Sequence, residues 1–172
     1  DRVYWWQHGS TTSGTLFRWL DNSNQIQVNA ISGTRAWSST RLSQRTPDNV
    51  DWMRFLDHRP IAAWRANGRI GIAWNSGVQA PSRNFPYVRV LEIDETTMNI
   101  ARESDIWLTT HAVAIAAASS SRAGDLGLTF TLGSTIQYPF MTALLVDDLD
   151  ADFSGRTMSL LTSSRNSPSF GS

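Results

Sequence analysis

The residue types best suited to chemistry in this chain include its three histidines, His8, His58 and His111. His58 and His111 each precede a run of small apolar residues, so we expect them at equivalent positions near one rim of the fold. There they could act as a metal or acid–base pair. The favoured interpretation is that they are ordinary loop histidines at equivalent turns. No His-Glu-x-x-His, His-x-His or Gly-x-Ser-x-Gly motif accompanies them.

An acidic segment near the carboxyl terminus has the alternate spacing of calcium loops. Asp148, Asp150 and Asp152 occupy every second position, and carboxylates spaced in this way on a tight turn can converge on one hard cation. The glycine of the segment comes two places later than in such loops, and Ser159 stands where a glutamate would complete the ligand set. The segment therefore predicts either an acidic turn or a calcium site, and calcium is the only cofactor that the sequence suggests.

Other acidic side chains raise the possibility of a glycosidase, which uses two carboxylates facing each other across the scissile bond. Glu103 and Asp105 are close in sequence, and Asp51 and Asp57 precede them. Acidic residues at equivalent places in a repeat also cap turns. The spacing defines no site, and we assign no catalytic residue.

Tryptophan is abundant, with eight residues in 172. Trp5 and Trp6 are adjacent in a strand-like segment, so their side chains must point to opposite faces and one of them can be exposed. An exposed indole can stack on a sugar ring or pack against another protein. The candidate ligand-binding residues are therefore Trp5, Trp6, His58 and His111.

The composition limits the partners of these residues. Fifteen basic residues balance fifteen acidic ones, which argues against a nucleic-acid partner. Cysteine is absent, which excludes disulfides and thiolate metal sites. The longest apolar run, 112–118, is too short to span a membrane. The chain opens directly on a strand-like segment, so we expect a mature product or part of a longer protein.

Short segments of alternating polarity, separated by turn residues, predict an all-β fold. Residues 113–119 are read as a buried strand and not as a helix, because a strand precedes the turn in a related segment. The predicted strands are 3–7, 16–20, 26–31, 69–74, 88–93, 113–119, 126–130, 142–146 and 157–162.

The chain repeats. Residues 66–77 align with 122–133 at an offset of 56, and 85–94 align with 138–148 at an offset of 53. A fainter copy lies at 2–9 and 16–21. The first alignment places these residues at equivalent positions: Gly68 and Gly124, Gly71 and Gly127, Gly77 and Gly133, Ile70 and Leu126, Ile72 and Leu128, Trp74 and Phe130.

A repeat of 55 to 65 residues with four antiparallel strands is typical of a β-propeller blade. We predict a single domain over 1–172, built of about three four-stranded blades at 1–45, 46–100 and 101–165. Each blade would run from a Trp-led strand through a small-residue inner strand and a strand after a glycine turn to a Pro-led outer strand. Large side chains such as Trp64, Trp74 and Phe130 would fill the space between blades.

These repeats resemble the blade pairs of sialidase-like (BNR-type) β-propellers in secreted bacterial proteins. The resemblance covers roughly residues 50–165 and is carried by "DWMRFLDHRPIAAWRANGRIGIAWNSG", "FPYVRVLEID", "ARESDIW" and "RAGDLGLTF". It implies an extracellular or secreted protein. The Asp box of that family, Ser-x-Asp-x-Gly-x-x-Trp, does not occur here. Because Tyr4, Tyr87 and Tyr138 do not map onto the nucleophile of sialidases, no catalytic residue is carried over.

The expected function is that of a non-catalytic extracellular propeller segment that binds glycans or proteins and takes part in assembly. The alternatives are a fragment of a sialidase-like glycoside hydrolase and a structural subunit of a homo-oligomer or filament. Three blades do not close a ring, because four are the usual minimum. We therefore expect either missing blades of a larger chain or homo-oligomer partners, for example two three-blade halves that close a six-bladed ring.

Overall fold

The computed structural model describes residues 2–122, 124–146 and 159–163. Every regular secondary-structure element in these residues is a β-strand. The all-β prediction is therefore confirmed. The strands are β1 (Arg2–Ser10), β2 (Ser13–Leu20), β3 (Gln25–Ser32), β4 (Pro60–Ala66), β5 (Arg69–Ser76), β6 (Tyr87–Asp94), β7 (Ile100–Ile106), β8 (Ala112–Ser120), β9 (Leu126–Ser134), β10 (Gln137–Val146) and β11 (Ser159–Ser163).

The strands form three antiparallel sheets in chain order. Sheet 1 contains β1 to β3, sheet 2 contains β4 to β7, and sheet 3 contains β8 to β11. The described sheets do not close into a ring. Sheet 1 has three strands where four were predicted, because residues 33–59 form a segment without a strand, here called the crossing segment. Within the described residues, the crossing segment forms one isolated β-bridge, between Arg45 and Asp51.

Sheet packing follows the repeat. In β5, the side chains of Ile70, Ile72 and Trp74 pack against sheet 1, in a cluster with Leu16 and Ile31. Their equivalents in β9 pack in the same way against sheet 2, in a cluster that includes Ala73, Val88 and Val90. The predicted role of Trp74 and Phe130 as packing between sheets is therefore confirmed. Those β9 equivalents are Leu126, Leu128 and Phe130.

The order of strands within a repeat differs from the prediction. The small-residue strand comes first, as β4 and β8, and a fourth strand follows the Pro-led one, as β7 and β11. Trp52 lies in a turn and Trp107 lies just after β7, so neither begins a strand. The turn at Trp52 is stabilised by the carboxylate of Asp51, which accepts hydrogen bonds from the backbone N–H of Gln44 (3.0 Å) and of Met53 (3.2 Å).

A two-residue turn joins β4 to β5. Asn67 and Gly68 both have positive φ, 47° and 69°, as a type I′ hairpin requires. The equivalent Gly124 also has a positive φ, 100°, within a longer connection between β8 and β9. The alignment of these two glycines therefore reflects a shared backbone requirement.

Sheet 1 corresponds to the last three strands of sheet 2. The sequence of β1 aligns with that of β5, and Val3 and Trp5 point away from the following sheet as Ile70 and Ile72 do from theirs. The small-residue strands β4 and β8 lie against each other, whereas no comparable contact joins β1 to β4. The described part of sheet 1 thus lacks a counterpart of β4 and β8.

Candidate functional site

A cleft of about 630 Å³ lies between β1 and the first two strands of sheet 2. One wall consists of the consecutive β1 residues 4–8. The opposite wall contains Pro60 and Ala63 of β4, together with Ile70 and Ile72 of β5. The cleft is mainly apolar, and its volume is in the range typical of ligand sites.

The neighbouring indoles of β1 point in opposite directions, as predicted. Trp6 faces sheet 2 and lies over Gly14 of β2, where a Cβ atom would be 2.0 Å from Cζ2 of the indole. Trp5 points the other way and stacks on Phe17, with 5.2 Å between ring centroids and 4° between planes. Trp5 is 41% exposed. Trp6 is thus held rigidly at the cleft, while Trp5 offers an open ring face on the other side of the sheet.

Glu95 clamps one end of the cleft. From β1 it receives hydrogen bonds from Arg2 (2.9 Å) and the Tyr4 hydroxyl (2.8 Å), and from β4 it receives one from Arg65 (2.9 Å). The hydrogen bond from Arg65, with those from Tyr4 and Arg2, lowers the pKa of Glu95 to about 2. The carboxylate is therefore ionised at neutral pH and joins the two strands on either side of the cleft.

His8 clamps the other end. Its Nδ1 accepts a hydrogen bond from Trp6 Nε1 (3.2 Å), since an indole N–H can only donate. The proton must then lie on Nε2, which donates to the carbonyl oxygen of His58 just before β4 (3.0 Å). Trp37 and Trp74 pack on the ring, with centroids 5.1 and 4.9 Å away. Burial lowers the pKa of His8, so the ring is neutral at pH 7.

His58 belongs to the same aromatic cluster. Its Nδ1 donates to the carbonyl oxygen of Asn75 (2.9 Å), and its ring lies 5.2 Å from that of Trp37. The structure therefore brings together two of the predicted residues, Trp6 and His58, through His8. The pattern that drew attention to His58 was its place before a small-residue strand; nothing comparable marked His8 or Trp37.

His111 precedes β8, at the position equivalent to that of His58, but its hydrogen-bond partners are its neighbour Thr110 and Gln137 at the start of β10. Its Nε2 is 3.0 Å from the Gln137 side-chain oxygen, and its Nδ1 is 2.8 Å from the Thr110 hydroxyl. The two histidines therefore have separate partners. In the described part of the chain, no group of three or more His, Asp or Glu side chains is arranged to hold a metal ion. Asp148, Asp150 and Asp152 lie outside the described residues.

Two of the acidic side chains considered for glycosidase chemistry are held by arginines. Asp105 pairs with the buried Arg89 and with Arg83 (2.6 Å), and Glu103 lies 3.6 Å from Arg89. Arg89 also donates to the carbonyl oxygen of Arg35 in the crossing segment (2.7 Å). This network fixes the Arg35 end of the crossing segment over the outer strands of sheet 2, and none of the side chains in the network lines the cleft.

The other two acidic residues stabilise local structure. Asp51 caps the turn described above, and Asp57 accepts hydrogen bonds from the backbone and the guanidinium of Arg59, at 3.0 and 2.6 Å. Asp51 and Asp57 therefore make the local turn contacts that the turn-capping alternative predicts. Neither lines the cleft.

A second surface, the front face, is the side of sheet 1 that points away from sheet 2. Cross-strand pairing places nine residues on it, and none is charged. Four are large apolar side chains that are exposed, with Ile26 and Val28 at 58% and 63%. The front face comprises Val3, Trp5, Gln7, Thr15, Phe17, Trp19, Ile26, Val28 and Ala30.

Comparison of the chain with protein-family models, with curated proteins and with solved structures gave no match. Within the residues that the structure describes, no helix is long and apolar enough to cross a membrane.

Proposed function

We propose that this chain is a non-catalytic, extracellular binding and assembly module, a β-propeller segment whose front face packs against sheet 3 of a second copy. The observation that carries the proposal is the front face itself, a nine-residue surface on three strands without a charge. Depletion of charge and enrichment in aromatic residues are the features that distinguish the centre of a protein interface from ordinary surface.

The two interfaces between sheets in the chain supply the pattern for this contact. In each of them, large side chains of the later sheet pack against the preceding sheet. Gly71 and Ala73 of β5 lie on the opposite side, toward sheet 3. Gly127 and Thr129 occupy the equivalent positions of β9. The front face of large side chains would thus meet small side chains on β9, with the exposed Met141 of β10 as a large apolar group on the same surface.

The energetics favour two such contacts in one closed assembly. Complete burial of a large apolar side chain stabilises by about 1.5–3 kcal/mol, so each half-exposed side chain would contribute about 1 kcal/mol. The four exposed side chains of one front face would then contribute several kcal/mol, much of which the loss of rotational and translational freedom offsets. In a pair of copies that close head to tail, both contacts form for one association step.

Mass in solution tests the proposal. We expect sedimentation equilibrium to give twice the 19.2 kDa of the chain, with dissociation on dilution. Val28→Lys would place a charge in the middle of β3, beside Phe17 on the face, and shift the protein to monomer. Phe55→Lys is the matched control, because Phe55 is 66% exposed in a turn of the crossing segment, outside both sheet 1 and sheet 3. A monomer at all concentrations would contradict the proposal.

A glycan is the second candidate ligand, favoured by the flat, exposed Trp5 ring stacked on Phe17. Binding to a glycan array that is lost in Trp5→Ala would support it. The alternative of a glycoside hydrolase is tested by turnover of fluorogenic glycosides and sialosides, and for a binding module we expect none. Calcium binding at 148–152 is tested by titration with calcium, which would raise the melting temperature if the site exists.

A further inference from the structure

Consecutive residues of one strand line the cleft. In a β-strand, neighbouring side chains point to opposite faces of the sheet, so a cavity that faces one side of a sheet meets every second residue. The cleft instead meets all five residues from Tyr4 to His8. It must therefore run along the edge of β1, where the backbone of every residue is accessible.

That edge carries no partner strand in the described chain, because β1 is the outermost strand of sheet 1. An edge of this kind presents a row of N–H and C=O groups to any strand that fits beside it. We propose that the cleft accepts an extended peptide strand rich in small residues, which pairs antiparallel with the edge of β1 and completes sheet 1 as a four-stranded sheet. This proposal is independent of the front face, which is a different surface of the same sheet.

The other two sheets show what fills the equivalent place. In sheet 2 it holds β4, paired antiparallel with β5. In sheet 3 it holds β8, paired antiparallel with β9. The corresponding position beside β1 is the cleft. The strand that fits is therefore expected to have the same geometry and a similar composition.

The composition of the expected strand follows from its two counterparts. They contain the runs Ile61-Ala62-Ala63 and Ala112 to Ala118, and they lie against each other. A strand in the cleft would lie beside Ala63 of β4 on one side and β1 on the other, so large side chains would collide with its walls. The charge of Arg59 at the cleft is already paired with Asp57, so the cleft requires no charge on the peptide.

Two clamps hold the cleft open at a fixed width. Glu95 joins Tyr4 to Arg65 at one end, and His8 bonds the backbone of His58 at the other. From residue 4 to residue 8, β1 spans about 13 Å at 3.3 Å per residue, which is the length of four to five paired residues. Because the walls are already positioned, little ordering of the protein is needed when a strand binds.

A synthetic peptide provides the test. The probe is a fluorescein-labelled peptide with the β8 sequence, AVAIAAASS, and binding is read by fluorescence anisotropy. We expect saturable binding, together with slower amide exchange in β1. Ala63→Trp would fill the cleft and weaken binding by at least about tenfold. Ala63 and Ala117 are both exposed alanines on first strands, so Ala117→Trp, outside the cleft lining, is the matched control.

A second peptide, with proline at two alternate positions, cannot donate those backbone hydrogen bonds and should not bind. Equal binding of the two peptides would overturn strand pairing, because it would show simple filling of an apolar cavity. Absence of binding at millimolar peptide would also overturn the proposal. Val28→Lys should bind the peptide as the unaltered chain does, which separates this site from the front face.

Discussion

The indole of Trp64 lies directly over Gly71, its cross-strand partner, so that a Cβ atom at position 71 would be 1.9 Å from Cε2 of the ring. Trp6 covers Gly14 of sheet 1 in the same manner. At Gly127, the repeat equivalent of Gly71, the nearest atom to an added Cβ is the carbonyl oxygen of Ser119 at an ordinary 3.6 Å. Two glycines that the sequence makes equivalent therefore have different packing roles.

Gly71→Ala should destabilise the chain by about 1–3 kcal/mol, because the added methyl group forces the buried indole of Trp64 out of its position. Gly127→Ala should change the free energy of unfolding by less than about 0.5 kcal/mol or stabilise slightly, since alanine restricts the unfolded chain. Urea denaturation of both variants measures the difference. Equal stabilities would contradict the packing described for Trp64.

Much of this fold could be predicted from local pattern. The predicted segments overlap nine of the eleven strands, all except β4 and β7. The 56-residue offset correctly paired Trp74 with Phe130, because both side chains fill the space before the preceding sheet. The order of strands in the repeat was wrong because Trp52 and Trp107 look like strand starts. Trp52 is instead buried beside a capped turn.

The cleft was only partly predictable. Trp5, Trp6 and His58 were identified from their types, but Glu95 joins residues 2, 4 and 65, which are far apart in sequence and carry no shared pattern. The crossing segment was also missed, because its cover over sheet 2 depends on Arg89 reaching the backbone of Arg35. Such contacts between distant residues arise only when the sheets are stacked.

Glu95→Gln should make the stability of the chain less dependent on acid. The pKa of Glu95 is about 2 in the folded chain and 4.5 in the unfolded one, so its contribution is complete above about pH 5 and is lost as the pH falls toward 2. We expect the variant to be less stable at pH 7 by about 1–2 kcal/mol, a value reduced because Arg2 and Arg65 are half exposed.

Thermal unfolding from pH 7 to pH 2 checks this effect. The two proteins should approach the same stability at the acid end, where the carboxyl group is protonated in both states. Asp125→Asn, in the connection between β8 and β9, serves as a control that removes a carboxylate outside the cleft and leaves the clamp intact. A constant difference between Glu95→Gln and the unaltered chain across the pH range would show that Glu95 acts through packing instead of charge.

His8 should make the chain sensitive to mild acid. Its pKa is lowered from 6.5 by burial, so the unfolded chain binds a proton more readily than the folded one, and stability falls as the pH decreases below about 6.5. His8→Phe should be less stable at pH 7.5, because the bond to the His58 carbonyl is lost, but should show a flatter stability profile between pH 7 and 5.

His111→Gln is the matched control for this experiment, since His111 lies outside the cleft cluster and has its own partners. It should retain the pH dependence of the unaltered chain. If the slope disappears in His111→Gln and persists in His8→Phe, the neutral state assigned to His8 is wrong.

The Asp105–Arg89 pair of sheet 2 is buried, whereas the Asp57–Arg59 pair just before β4 is exposed. The two pairs should therefore differ widely in their contribution to the free energy of unfolding. Asp105→Ala leaves the guanidinium of Arg89, which is 2% exposed, without its main partner, and breaking a buried pair costs about 3–5 kcal/mol. Asp57→Ala breaks a pair with Arg59, which is 85% exposed and screened by solvent, and should change the free energy of unfolding far less. Chemical denaturation of both variants compares the pairs directly.

Because Arg89 also holds the crossing segment, Asp105→Ala should in addition speed amide exchange near Arg35, and Asp57→Ala should not. A small loss of stability for Asp105→Ala with unchanged exchange would mean that Glu103, 3.6 Å from Arg89, is sufficient to balance its charge.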